Sequence, residues 1–343
     1  MKNVKNLKIL SIFLAAFWIL QSLTLPISAT EETELSETSA SEEAAPTDSA
    51  PEEQEETEET GAPETVSPPA EAPLGGDESS NFGVDAPRAL AGPDELDLDA
   101  EALLLLELNS QTMVYAKNID TRREPASLTK VMTCLLALEH GNLTDSITVS
   151  QEALDDLDPA GSSSGLMAGE VFTLEQLLYC LMIESANDAA PVIAEYVAGS
   201  EPAFVEMMNQ KAAELGCTGT HFTNPTGLHS DNTYTTARDM AIMAKYAMQK
   251  SAFSSIVKNY AVQLGQTNKH ADLWQYSTNK MLLTSSPYYY APVVGIKTGS
   301  TDEAGRCVIS QAEDSGYHYF CVVMGSPVTA AEPYQNFIET RQL

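Results

Sequence analysis

Apolar positions along this chain follow several patterns, and each predicts a different element. Ile9 to Leu20 is an apolar run interrupted only by Ser11, preceded by Lys2, Lys5 and Lys8 and followed by Ile27-Ser28-Ala29. That order of positive, apolar and small residues predicts a secretory signal over residues 1–29. The run is short for a membrane span of about 20 residues, which favours cleavage over retention as an anchor. Export would place the rest of the chain outside the cytoplasm, in the cell wall or on the outer face of the membrane. From Thr30 to Ser80 there is almost no large apolar residue and no Lys or Arg, only Glu, Ser, Thr, Pro, Ala and their like. Such a segment cannot bury enough surface to offset its ordering entropy. Residues 30–85 therefore read as a disordered acidic tether, either a stalk or a solvated tail.

Periodic patterns begin after residue 86 and run to Leu343. Ala102–Leu106 and Met113–Ala116 flank Asn109-Ser110-Gln111, which predicts a β-hairpin. Ser127 to His140 is apolar nearly all round, as a helix in a core would be. Ile147–Val149 suits a short strand, and Gly161–Gly165 a loop of small residues. Thr173 and Gln176 have the spacing of a capping box that opens an apolar helix ending near Ile183. Further helical runs are Pro191–Val197, Pro202–Leu215, Thr236–Met248 and Ser251–Val257. Tyr260–Leu283 reads as strand and loop. Val293–Gly299, Arg306–Ser310 and Tyr317–Met324 are strand-like, with Asp314-Ser315-Gly316 as a turn, and Asn336 begins a last helical pattern. The expected class is α+β, a helical cluster packed on an antiparallel sheet.

Composition narrows the chemistry. The 343 residues carry a formal charge of −31, which argues against nucleic acid, whose phosphates need Lys and Arg clusters. No basic amphipathic helix offers itself to an anionic membrane. The five cysteines, Cys134, Cys180, Cys217, Cys307 and Cys321, form no CxxC and no Cys/His cluster, so no metal site is expected. Cys134, Cys180 and Cys321 lie in apolar runs and read as buried thiols; in an exported chain one disulfide stays open. The five histidines sit among turns and element ends and receive no catalytic role.

Ser127 and Lys130 stand three residues apart at the start of the buried helix, so they share a face. A lysine buried without a partner loses its proton readily, and such a lysine beside a hydroxyl can activate a serine as a nucleophile. The plain alternative is a serine cap followed by a surface lysine. Two later stretches bear on the choice: Ser185-Ala186-Asn187 and Lys297-Thr298-Gly299. With Ser127-x-x-Lys130 they form, in order, the three-motif set of penicillin-binding proteins and serine β-lactamases.

The chain resembles the low-molecular-mass penicillin-binding proteins of the D-alanyl-D-alanine carboxypeptidase type. The resemblance rests on Pro125–Lys130, Leu177-Leu178-Tyr179, Ser185–Ala190, Phe222–Leu228, Tyr234–Asp239 and Gly295–Thr301 with Ala304-Gly305. It covers about residues 95 to 343 and implies a β-lactamase/transpeptidase-like fold. It implies a serine enzyme, without cofactor, that removes the terminal D-alanine from peptidoglycan stem pentapeptides and is acylated by β-lactams. By that resemblance Ser127 is the nucleophile, Lys130 the general base, Ser185 a proton relay, and Asn187 a holder of Lys130 and the substrate amide. Lys297 and Thr298 meet the substrate carboxylate, and Gly299 lets the strand approach it. The amides of Ser127 and Ser300 form the oxyanion hole.

Some features depart from the family. Members commonly continue into a β-rich domain and an anchoring helix, whereas this sequence stops at Leu343. Membrane association through an uncleaved N-terminus or a further anchor is therefore left open. No arginine lies in residues 325–340, where some relatives bind the carboxylate, so Lys297 and Thr298 carry that duty or Arg306 shares it. The E-x-x-L-N stretch of class A β-lactamases is missing between Asn187 and Lys297, which argues against rapid β-lactam hydrolysis. A D,D-endopeptidase shares the chemistry, and a wall-binding protein on a stalk is the non-enzymatic reading. Three side readings also follow. Asp188 would cap the next helix, Arg238 and Asp239 would pair with each other, and Tyr288–Tyr290 would line a groove or pack.

Overall fold

The computed structural model describes residues 96–343 apart from Asp156 and Ala160, so the signal and tether expectations lie outside the described residues. Strands β1 (Ala102–Glu107) and β2 (Thr112–Lys117) form the expected hairpin. A single 3-10 turn, Ala126–Thr129, leads into helix α1 (Lys130–His140). Strand β3 (Ser146–Thr148), the one-turn helix α2 (Glu152–Asp155) and strand β4 (Val171–Thr173) follow. The capping box is formed: Thr173 accepts from the Gln176 amide, and Gln176 accepts from the Thr173 amide. It opens α3 (Leu174–Tyr179). The predicted helix to Ile183 does not stay α-helical; it loosens into a π-turn at Cys180–Glu184 that stops at Ser185 in the left-handed conformation.

Helices α4 (Ala189–Ala198), α5 (Glu201–Glu214), α6 (Ala237–Met248) and α7 (Ser251–Val257) complete the cluster. A two-stranded hairpin, β5 (Ala261–Gly265) and β6 (Leu273–Tyr276), precedes the long strands β7 (Val293–Thr301), β8 (Gly305–Asp314) and β9 (Tyr317–Ser326). Helix α8 (Gln335–Gln342) ends the chain.

The main sheet has the order β2-β1-β9-β8-β7 and is antiparallel throughout. Strand β1 pairs on both edges and buries all six residues. Its side chains alternate between two cores. Leu104 and Leu106 face the large core with the helical cluster, where α1 touches α4, α5, α6 and α7. Leu103 and Leu105 face a second core that Phe337 of α8 covers together with Tyr115, Met281 and Val323. The sheet is thus covered on both faces, one face more than the sequence pattern predicts. Tyr288 belongs to this outer core, its ring 5.5 Å from Tyr334 and 5.7 Å from Phe337.

The five thiols are all buried and free, so the disulfide left open by the sequence is not formed. No helix among the described residues is long and apolar enough to cross a membrane. Strand β7 is a sheet edge and lies against the Ala126–Thr129 turn. That contact sets the candidate site.

Candidate active site

Ala126 has φ +46°, a conformation unusual for any residue but glycine, and the chain swings there into the turn that carries Ser127. A second turn, residues 224–228, packs against it so closely that a Cβ on Gly227 would lie 1.8 Å from the Ala126 carbonyl oxygen. Ser127 is left half-buried at the surface of this junction while Leu128, Thr129 and Lys130 are buried.

Lys130 has no exposed surface. Its Nζ lies 2.9 Å from Ser127 Oγ, 2.7 Å from Asn187 Oδ1 and 2.7 Å from the Thr226 carbonyl. Burial, and then the nearby Lys297, push its pKa well below the usual lysine value; Asp188 pulls weakly the other way. A neutral amine has two N–H donors and one lone pair. The Asn187 and Thr226 oxygens can only accept, so they take both donors. The lone pair is left facing the one neighbour that can donate, the Ser127 hydroxyl.

The π-turn positions the second motif. Ser185, at φ +66°, turns its hydroxyl toward Lys297, whose Nζ is 2.8 Å away and also donates to the Thr298 carbonyl at 2.9 Å. Lys297 is 1% exposed, and burial pushes its pKa down to about 7. The Asn187 amide donates to the Ser162 carbonyl at 2.7 Å, which seats the small-residue loop over the site. Asp188 makes no helix cap, contrary to expectation. Its carboxylate instead accepts from Ser163 Oγ at 2.6 Å and from the amides of Ser164 and Leu166 at 3.1 and 3.0 Å, so it clamps the same loop. The Arg238–Asp239 pair is also corrected. Arg238 binds Asp120, with Nε–Oδ1 at 2.5 Å, and Asp239 accepts from the Gly219 amide and the Thr220 hydroxyl. Neighbours on a helix point apart, so each found a partner elsewhere.

The opposite wall is β7. Thr298 Oγ1 is 2.5 Å from Thr278 Oγ1, and a Cβ on Gly299 would come within 3.0 Å of the Ser127 amide nitrogen. Ser300 is exposed one residue on. Between the walls lies a pocket of about 240 Å³ lined by Ser127, Ser162, Ser185, Thr298, Gly299 and Ser300. Lys280, Arg306, Tyr334 and Asn336 also line it, with both cations over the Tyr334 ring at 4.7 and 5.1 Å. No carboxylate and no histidine is among its lining residues. The charged side chains that line it, Lys280 and Arg306, are both cations although the chain is strongly acidic.

All eight residues singled out in the sequence therefore surround this pocket or support it from beneath. Lys280, Thr278 and Asn336 were missed, and Asn224 and Thr226 were matched to the family without a role. Asn224 Oδ1 accepts from the amides of Thr226 and Gly227 and from the Thr226 hydroxyl, so it shapes the turn that presents a carbonyl to Lys130. The Asn-Pro-Thr-Gly sequence was the available signal for that turn. Away from the pocket, Glu124, His229 and Glu303 bring ligand-type atoms within 4.8 Å of one another. That group is partly exposed, and His229 Nδ1 pairs with Glu124 at 2.8 Å.

The D-alanyl-D-alanine carboxypeptidase family model matches residues 89–328. The chain belongs to this family. It is 36% identical over 251 residues to the D-alanyl-D-alanine carboxypeptidase DacF of Bacillus subtilis, a match over 70% of this chain and 62% of the relative. It is 32% identical over 250 residues to DacA of Escherichia coli, covering 68% and 58%. The chain thus spans about three fifths of the length of these curated relatives. Among solved structures, the Streptomyces K15 DD-transpeptidase superposes with a TM-score of 0.66 at 28% identity, covering 72% of this chain and 97% of that one. The carboxypeptidase family and its DD-transpeptidase neighbour therefore share the fold described above.

Proposed function

We propose that this chain is a serine-type D-Ala-D-Ala carboxypeptidase that removes the terminal D-alanine from peptidoglycan stem pentapeptides. The observation that carries the reading is the setting of Lys130, buried, its pKa pushed down by burial and by Lys297, with its Nζ 2.9 Å from Ser127 Oγ. Ser127 attacks the carbonyl between the two D-alanines, and its proton passes to Lys130. The oxyanion forms against the amides of Ser127 and Ser300. Ser185, held by Lys297, relays a proton to the leaving amine. The extended peptide lies along the edge strand β7, which Gly299 leaves open to close approach. Its free carboxylate meets Thr298 and Lys297, with Arg306 and Lys280 lining the same pocket. Water then cleaves the acyl-enzyme with Lys130 again as base. No carboxylate lines the pocket to activate a faster deacylation, so β-lactams acylate Ser127 and leave slowly. The family reading and a secretory pattern in the sequence both support action on the cell wall, outside the cytoplasm.

A second reading, transfer of the acyl group to an amine, is favoured by the likeness to a DD-transpeptidase. Incubation with a pentapeptide, with and without an amine acceptor, and with a crosslinked muropeptide separates the outcomes. D-alanine release from the pentapeptide as the dominant reaction supports the carboxypeptidase. Dominant crosslink cleavage assigns an endopeptidase, and rapid steady-state hydrolysis of a cephalosporin assigns a β-lactamase. Equal labelling of wild type and Ser127→Ala by a fluorescent penicillin overturns the assignment of the nucleophile.

A further inference from the structure

The β5–β6 hairpin contributes nothing to the chemistry above, yet it presents two large aromatic side chains to solvent. Trp274 is 45% exposed and Tyr276 52%. Strand alternation puts both on one face. Gln275 between them is buried on the other face, where it accepts from Ser164 Oγ at 2.7 Å. The hairpin is thereby fixed to the loop that Asp188 clamps. The two rings lie 6.2 Å apart with their planes within 17°. Polar groups border them: the Trp274 indole donates to Asp272 at 3.1 Å, and Gln263 Nε2 donates to the same carboxylate at 2.9 and 3.0 Å. Ala261 stands opposite Tyr276 in the pairing, so no bulky neighbour covers that ring from β5.

Strand β6 leads into the pocket wall. The Tyr276 amide donates to Glu184, the residue before Ser185, at 3.1 Å. Two residues further on, Thr278 lines the pocket and touches Thr298. A strand rises about 3.3 Å per residue, so Trp274 lies about 13 Å along the chain path from the pocket wall. Near-parallel aromatic rings beside an amide and a carboxylate suit a pyranose. Its C–H face stacks on the rings, and its hydroxyls meet the polar border. An uncharged ligand also suits a chain of formal charge −31, which repels an anionic membrane.

We propose that the Trp274–Tyr276 face is a subsite for the sugar chain to which the stem peptide is attached, so that glycan-linked pentapeptide is preferred to free pentapeptide. The proposal rests on the carboxypeptidase reading for its substrate, and its test separates the two. D-alanine release is measured on a free pentapeptide and on the same peptide carried by a disaccharide, for the full chain and for Trp274→Ala/Tyr276→Ala. In parallel, both proteins are sedimented with insoluble wall glycan stripped of its peptides. Loss of the two rings is expected to cut kcat/KM on the disaccharide-pentapeptide about tenfold. The free pentapeptide should react at the wild-type rate, and glycan binding should be lost. Equal losses on both substrates would mean that the rings contact the peptide or support the pocket, and unchanged kinetics with unchanged sedimentation would mean that they bind no glycan; either result overturns the proposal. If wild type releases no D-alanine from either substrate, the carboxypeptidase reading fails, and sedimentation alone decides the glycan subsite.

Discussion

The Thr226 carbonyl accepts a hydrogen bond from Lys130 Nζ at 2.7 Å, across 96 residues of chain. With Asn187 it leaves the amine a single direction in which to accept a proton. The turn that aims this carbonyl is held by Asn224, three of whose accepted bonds stay within the turn.

Asn224→Ala should therefore slow acylation without touching a reacting atom. Penicillin labelling is expected to slow about tenfold, with about 1–3 kcal/mol lost in unfolding free energy from the amides left without partners. Stopped-time labelling and urea titration measure the two effects. A wild-type labelling rate would show that the turn does not aim the carbonyl.

The pH profile should report both lysines. In the proposed mechanism, acylation needs Lys130 neutral and Lys297 protonated. Burial and the neighbouring cation lower Lys130, which sets the rising limb, and the fall follows Lys297 at about 7. In Lys297→Arg the falling limb should move upward by more than one pH unit, because guanidinium keeps its proton. An unmoved falling limb in a kcat/KM profile would assign it to another group.

The same shift has a cost in stability. Lys297 holds its proton to about 7 when folded and to the ordinary lysine value of 10.5 when unfolded. Between those values the unfolded chain binds more protons, so stability rises with pH across that window, and below about 7 the full penalty remains. Lys297→Met should raise Tm most at pH 6, and the gain should shrink steadily toward pH 10. Melting curves at several pH values test this; a gain independent of pH would mean that the charge is not the source.

Gly227→Ala should disrupt the site and the fold together. The added Cβ would meet the Ala126 carbonyl oxygen at 1.8 Å, at φ +80°. Gly165 has a similar φ of +75° but open space around it, so Gly165→Ala should cost only about 1 kcal/mol of backbone strain. If the two variants melt alike, the close packing of the two turns is not what fixes Gly227.

The sequence made legible what is local. The Thr173–Gln176 capping box, the hairpin around Asn109–Gln111 and helix α7 follow from residue spacing alone. The grouping of Ser127, Ser185 and Lys297 at one pocket was legible because each sits in a short motif. Partners far along the chain left no such mark: Arg238 finds Asp120 118 residues away, and Asp188 finds Ser163 25 residues away. The π-turn was missed because its residues are ordinary helix formers. The cover on the outer face was missed, although Ala-Leu-Leu-Leu-Leu-Glu in β1 was an available signal, since a strand apolar at consecutive positions needs shelter on both sides. Lys280 and Arg306 reach the pocket from separate segments, and only the folded chain shows that they flank one tyrosine ring.

The sheet divides the five buried thiols unequally. Cys134, Cys180, Cys217 and Cys307 lie in the helical core, and Cys321 lies in the core that α8 covers. Burial holds every one of them well above the ordinary thiol range, with Cys321 at about 12. A thiol-reactive dye therefore finds almost nothing to modify until one side of the molecule opens. The cysteines act as two built-in clocks, and the difference between their labelling rates tells which half of the molecule breathes first.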